Sequence, residues 1–88
     1  MTYKKKKNLV CEQIDDEIIV FDTDVEQFYE FDGVGSLLWN IMEDTSLENI
    51  AQQVCDEYDV EKETALADIA MFFKDLLEKN LIYQFEDK

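Results

Sequence analysis

Residues 26–39 read EQFYEFDGVGSLLW, and within this stretch the hydrophobic period changes with no linker between the two patterns. From Val25 to Phe31 apolar and polar side chains alternate, the period of an extended strand. Gln27, Tyr29 and Phe31 then share one face, and Phe28 and Glu30 the other. From Val34 onward Val34, Leu37, Leu38, Ile41 and Met42 follow the three- and four-residue spacing of one helix face. A strand that runs straight into a helix must lay that helix close to its own sheet, which restricts the chain to mixed architectures. Asp32 is expected to cap the helix by accepting from free N–H groups of its first turn. Gly33 and Gly35 are poor helix formers, so their presence predicts close approach of this turn to a neighbouring backbone.

Two further extended runs precede this junction. Residues 9–14 and EIIVF at 17–21 flank a polar DDE, and DTD at 22–24 marks a second turn. The first third of the domain therefore reads as a three-stranded antiparallel meander. Thr45 and Glu48 have capping-box spacing and open a second helix at 46–58, with Leu47, Ile50, Ala51, Val54 and Tyr58 on one face. Asp59 is placed to cap a third helix at about 61–80, and LIYQF at 81–85 suits a short extended segment. The expected fold is α+β: a three-stranded β-meander followed by three helices, close to a winged helix-turn-helix. Residues 1–8, with lysines at 4–7, read as a solvated, disordered basic tail ahead of a domain at 9–85.

Composition narrows the chemistry. Over residues 8–88 four lysines face 22 carboxylates, and the 88-residue chain carries −14 overall. Such a surface repels nucleic-acid phosphates and anionic lipid, and attracts basic partners or simply maintains solubility. No apolar run reaches the length of a membrane span, and no signal peptide is evident, so the cytoplasm is the expected compartment. There is no His, and the two cysteines, Cys11 and Cys55, form no C-x-x-C pair. General-base catalysis by His and zinc binding by paired cysteines are thereby excluded. Two glycines are too few for a phosphate-cradling loop. The expected protein is a binder, not an enzyme, with no metal or cofactor.

Within the third helix Leu66, Ile69, Phe73, Leu76 and Leu77 fall on one arc, the core face, with Ala65 and Phe72 at its edge. Beyond them lie Asp68, Asp75, Thr64 and Met71. This flank is either a core margin beside a solvated acidic face or one wall of a groove. The strand at 25–31 offers the matching wall, because a free sheet edge accepts an extended peptide.

The motifs FYEFDGVGSLLW, TSLENIAQQVCDEYDV and ADIAMFFKDLLEKNLI, in this order, resemble the PqqD family over about residues 14–85. Members of that family serve as precursor-peptide recognition elements in ribosomal peptide modification. The resemblance implies a non-enzymatic protein that binds the leader segment of a precursor peptide as an added strand between the third strand and third helix, and delivers it to a modifying enzyme or leader protease. By the same resemblance Gln27, Phe28, Tyr29 and Glu30 line the strand side of the groove, and Asp68, Met71, Phe72 and Asp75 the helix side. Asp32-Gly33 stands where many relatives carry Asn-Pro. Two alternatives stay open: an acidic winged-helix regulator or adaptor binding a basic protein, and a structural subunit of a larger complex. A monomer and a strand-exchanged dimer are both compatible with the free edges.

Overall fold

A computed structural model describes residues 2–43 and 45–85. The elements run β1 (Thr2–Lys5), β2 (Leu9–Ile14), β3 (Glu17–Asp22), β4 (Gln27–Asp32), α1 (Val34–Ile41), α2 (Leu47–Tyr58), α3 (Lys62–Glu78) and β5 (Ile82–Phe85). β2, β3 and β4 form the expected antiparallel meander in that order. Asp15 takes left-handed φ in the tight β2–β3 turn, where Ile14 opposes Glu17. The β3–β4 connection occupies residues 23–26, so Val25 and Glu26 belong to the turn and not to the strand.

The N-terminal segment differs from the expectation of a disordered tail. Thr2–Lys5 pair antiparallel with β5, Lys5 opposite Ile82, in a separate two-stranded sheet. Burial is the reason: Tyr3 is almost fully buried, its ring centroid 4.5 Å from that of Phe73 on α3. The lysine run is structural too. Lys5 lies over the Trp39 ring at 4.7 Å, and Lys6 Nζ donates to both carboxylate oxygens of buried Asp22, at 3.2 and 2.9 Å. Met1, the first residue of that expected tail, lies outside the described residues.

The core sits between the inner face of the meander and the three helices. Ile18 and Val20 supply the sheet side, Leu38 and Trp39 the α1 side, and Ile50, Ile69 and Phe73 the α2 and α3 sides. Gln13 ties β2 to α1, accepting from Asn40 Nδ2 at 2.9 Å and donating to Ser36 Oγ at 3.4 Å. Trp39 is fully buried and stacks on Phe31 at 5.5 Å, although its indole N–H meets no acceptor among the described residues.

Helix ends depart from the sequence reading in three places. Asp32 is the last residue of β4, and the residue before α1 is Gly33, with no side-chain cap. The chain reverses there through φ 53°, ψ −125°, open to glycine and strained for other residues. Ser46, not Thr45, caps α2 by accepting from the Asn49 N–H at 3.2 Å. Asp59 does not open α3; it ends α2 in a left-handed conformation, and Glu61 precedes α3 without a side-chain cap. The α3 terminus is a Schellman motif: Asn80 takes left-handed φ, its N–H bonding Leu77 O while that of Leu81 bonds Leu76 O. The buried pair Leu76 and Leu81 supplies the apolar contact of that motif, and the reversal aims β5 back at β1.

Candidate peptide-binding groove

β4 is the edge of the meander, with β3 as its one strand neighbour among the described residues. In an antiparallel ladder alternate residues direct their N–H and C=O groups away from the partner, so the outer side of β4 carries unpaired backbone groups. Register assigns the side chains. Phe31 opposes core residue Ile18, Tyr29 opposes core residue Val20, and Gln27 opposes buried Asp22. Gln27, Tyr29 and Phe31 therefore share the inner face.

α3 approaches β4 through side chains at two points. Phe72 meets Phe31 edge-on at 5.3 Å between ring centroids, and two turns further along Lys79 Nζ lies 5.7 Å from the centre of the Tyr29 ring. The helix thus runs antiparallel to the strand. At 100° per residue Asp68, Phe72, Asp75 and Lys79 form one stripe along this side of α3. Asp75 accepts from Lys79 Nζ at 2.7 Å, an i,i+4 pair that steadies the ammonium group beside Tyr29. Asp68 is exposed one turn before Phe72.

Gly35 explains how Phe72 reaches the strand. A Cβ at that position would stand 3.4 Å from both Phe31 Cβ and Phe72 Cε1. The first turn of α1 therefore packs directly on the Phe31 Cβ and the Phe72 ring. The expected close approach holds here, but to side chains and not to backbone. Gly33 meets nothing within 4 Å and is needed for its backbone angles alone.

The residues singled out from sequence separate into groups. Tyr29, Phe72 and Asp75 come together, with Gln27 and Asp68 at the margins. Phe28 and Glu30 project from the opposite face of the sheet, where the Phe28 ring lies 4.5 Å from that of Phe21; they border the edge through their backbone. Met71 is exposed and lines a shallow recess of about 260 Å³ with Lys74, Asp75 and Glu78, on the solvent side of the Phe72 stripe. Sequence reading left out Phe31, Gly35 and Lys79. Phe31 carried a signal in its alternation with Tyr29; Lys79 carried one in its i+4 spacing from Asp75.

Electrostatic perturbation lies away from the groove. The Lys6 ammonium group, donating to Asp22, holds that carboxyl below its ordinary range, and the same bond raises Lys6. Among the described residues no cluster of three His, Cys, Asp or Glu side chains is arranged to hold a metal ion.

A free edge strand beside a helix, with aromatic side chains between them, is the kind of geometry on which strand addition of an extended peptide relies. The family model for coenzyme PQQ synthesis protein D (PqqD) matches residues 17–82, and the chain belongs to the PqqD family. Among solved structures it is similar to TbiB1 in complex with the TbiA(beta) leader peptide, with 29% identity, 96% of this chain and 99% of that chain covered, and a TM-score of 0.86. It is also similar to lasso peptide synthetase B1 complexed with the leader peptide, at 21% identity, with 96% and 100% covered and a TM-score of 0.86; that likeness concerns the fold alone. Comparison with curated proteins gave no match. Among the described residues no helix is long and apolar enough to cross a membrane.

Proposed function

We propose that this chain is a leader-peptide-binding protein of the cytoplasm. It captures a ribosomally made precursor peptide as a strand added to β4 and presents it to a modifying enzyme or leader protease, without catalysing a reaction itself. Gln27, Phe28, Tyr29 and Glu30 supply the backbone edge. Asp68, Phe72 and Asp75, with Met71 at the rim, form the helix wall. Backbone pairing is sequence-tolerant, so selectivity falls to one or two apolar anchors seated between Tyr29 and Phe72. The observation that carries the reading is the Phe31–Phe72 contact, which joins the free-edge strand β4 to α3. Likeness in fold to two proteins solved with leader peptides supports it.

The test is an amide NMR titration with the leader segment of a precursor encoded beside this chain. Shifts are expected at residues 27–31 and 68–79. Phe72→Asp should abolish binding while the rest of the spectrum stays dispersed. Phe72→Ala, which buries no charge, guards against a folding artefact and should weaken binding strongly. Diffuse shifts that disappear in moderate salt would exclude the groove.

A further inference from the structure

The outer face of the meander, away from the helices, is a three-by-three grid of side chains set by register. The first row is Val10, Phe21 and Phe28, the second Glu12, Ile19 and Glu30, the third Ile14, Glu17 and Asp32. Val10 and Phe28 are 60% and 69% exposed and Ile14 is 47% exposed, although β-branched and aromatic side chains in such positions ordinarily find cover. Five apolar side chains thus meet four carboxylates and no cation. None of those four carboxylates forms an ion pair among the described residues. Apolar groups occupy the end beside the β3–β4 turn, and acids crowd toward the end where β4 enters α1.

We infer that this face is a docking surface for a protein whose contact patch is apolar and bordered by Lys or Arg. Charge decides the occupant. A second copy of this chain would set carboxylates against carboxylates on a molecule of net charge −14, and nucleic acid or anionic lipid meets the same repulsion. A basic border pairs with Glu12, Glu30, Glu17 and Asp32 while the Val10–Phe21–Phe28 row is covered, so attraction at long range and burial at contact select the same partner. The face and the groove lie on opposite sides of β4, so a partner docked here would reach a strand added along that edge without displacing it. The inference stands whether or not a peptide occupies the groove.

The experiment uses the full chain and two short amphipathic helical peptides with identical leucine faces, one bordered by lysines and the other by glutamates. Methyl and amide NMR should place the lysine-bordered probe on Val10, Ile19, Phe21 and Phe28, binding about tenfold or more tightly than the glutamate-bordered one. Val10→Glu, two strands away from the groove, should weaken the lysine-bordered probe by a similar factor, and Phe28→Glu should do the same. Phe72→Ala should leave it unchanged. Equal binding of both probes, shifts confined to the groove, no binding, or a dimer in sedimentation that covers this face would each overturn the inference.

Discussion

The two faces of one three-stranded sheet are built from similar residues and used differently. On the inner face Ile18, Val20, Tyr29 and Phe31 meet helices, and Val20 is wholly excluded from solvent. On the outer face Val10, Phe21 and Phe28 lie side by side across the three strands, the rings of Phe21 and Phe28 4.5 Å apart. Their apolar residues do not separate them: each face carries two aromatics and β-branched neighbours. The difference comes from connectivity. Gly33 turns the chain immediately after β4, which swings α1 beneath the inner face, and Gly35 lets α3 close on Phe31 from the same side. Among the described residues Val10 and Phe28 of the outer face stay exposed.

Four measurements would break or sharpen this contrast. Trp39→Ala empties the centre of the inner layer and removes the stacking partner of Phe31, so urea unfolding should show a loss of about 3–5 kcal/mol. A smaller loss would mean that the inner face can collapse around the cavity and is less rigid than its packing implies. Gly33→Ala tests the turn that creates the asymmetry: a Cβ has space there, so the cost is backbone strain alone, about 1–3 kcal/mol in the same assay.

The third measurement concerns the inner end of the sheet, where Asp22 is buried beneath Lys6. Because the folded state holds the Asp22 carboxyl below its unfolded value, this pair stabilises the fold above the ordinary aspartate range, and the contribution disappears as pH falls through the depressed value. Stability measured by urea midpoint from neutral pH down to acid should fall below about pH 4, within the usual aspartate range. Asp22→Asn should flatten that limb while lowering stability at neutral pH, and an unchanged acid limb would show that other carboxylates dominate it.

Phe28→Ala, on the outer face, should have the smallest effect. Its cross-strand contact with Phe21 is the chief interaction lost, worth less than about 1 kcal/mol. A larger loss would show that the outer row supports the fold and is not free to serve a partner.

The junction at residues 26–39 was legible because two periods meet there, and periods report which side chains share a face. The grouping of Gln27, Tyr29 and Phe31 against Phe28 and Glu30 follows from it, and the same periods read elsewhere along the chain yield the other strands and helices. Period two does not say which of the two faces a helix will cover, so Phe28 could not be told from Tyr29 as a groove residue. Of the expected side-chain caps only that of α2 is present, one position late at Ser46, because Thr45 and Ser46 offer hydroxyl groups side by side, whereas Gly33 and Glu61 precede α1 and α3 without one.

Sequence alone determined the order of elements from β2 onward, an abrupt strand-to-helix junction after β4, the acidity of the chain and the family. Tertiary structure decided the rest through contacts between distant residues. Tyr3 is buried because β5, about eighty residues further along, returns beside it, and nothing in the local pattern of a lysine-rich segment reports such a pairing. Phe72 meets Phe31 because α3 folds back against β4. A local sequence carries its own period and propensity; which neighbour fills the space beside it is settled only when the chain closes on itself.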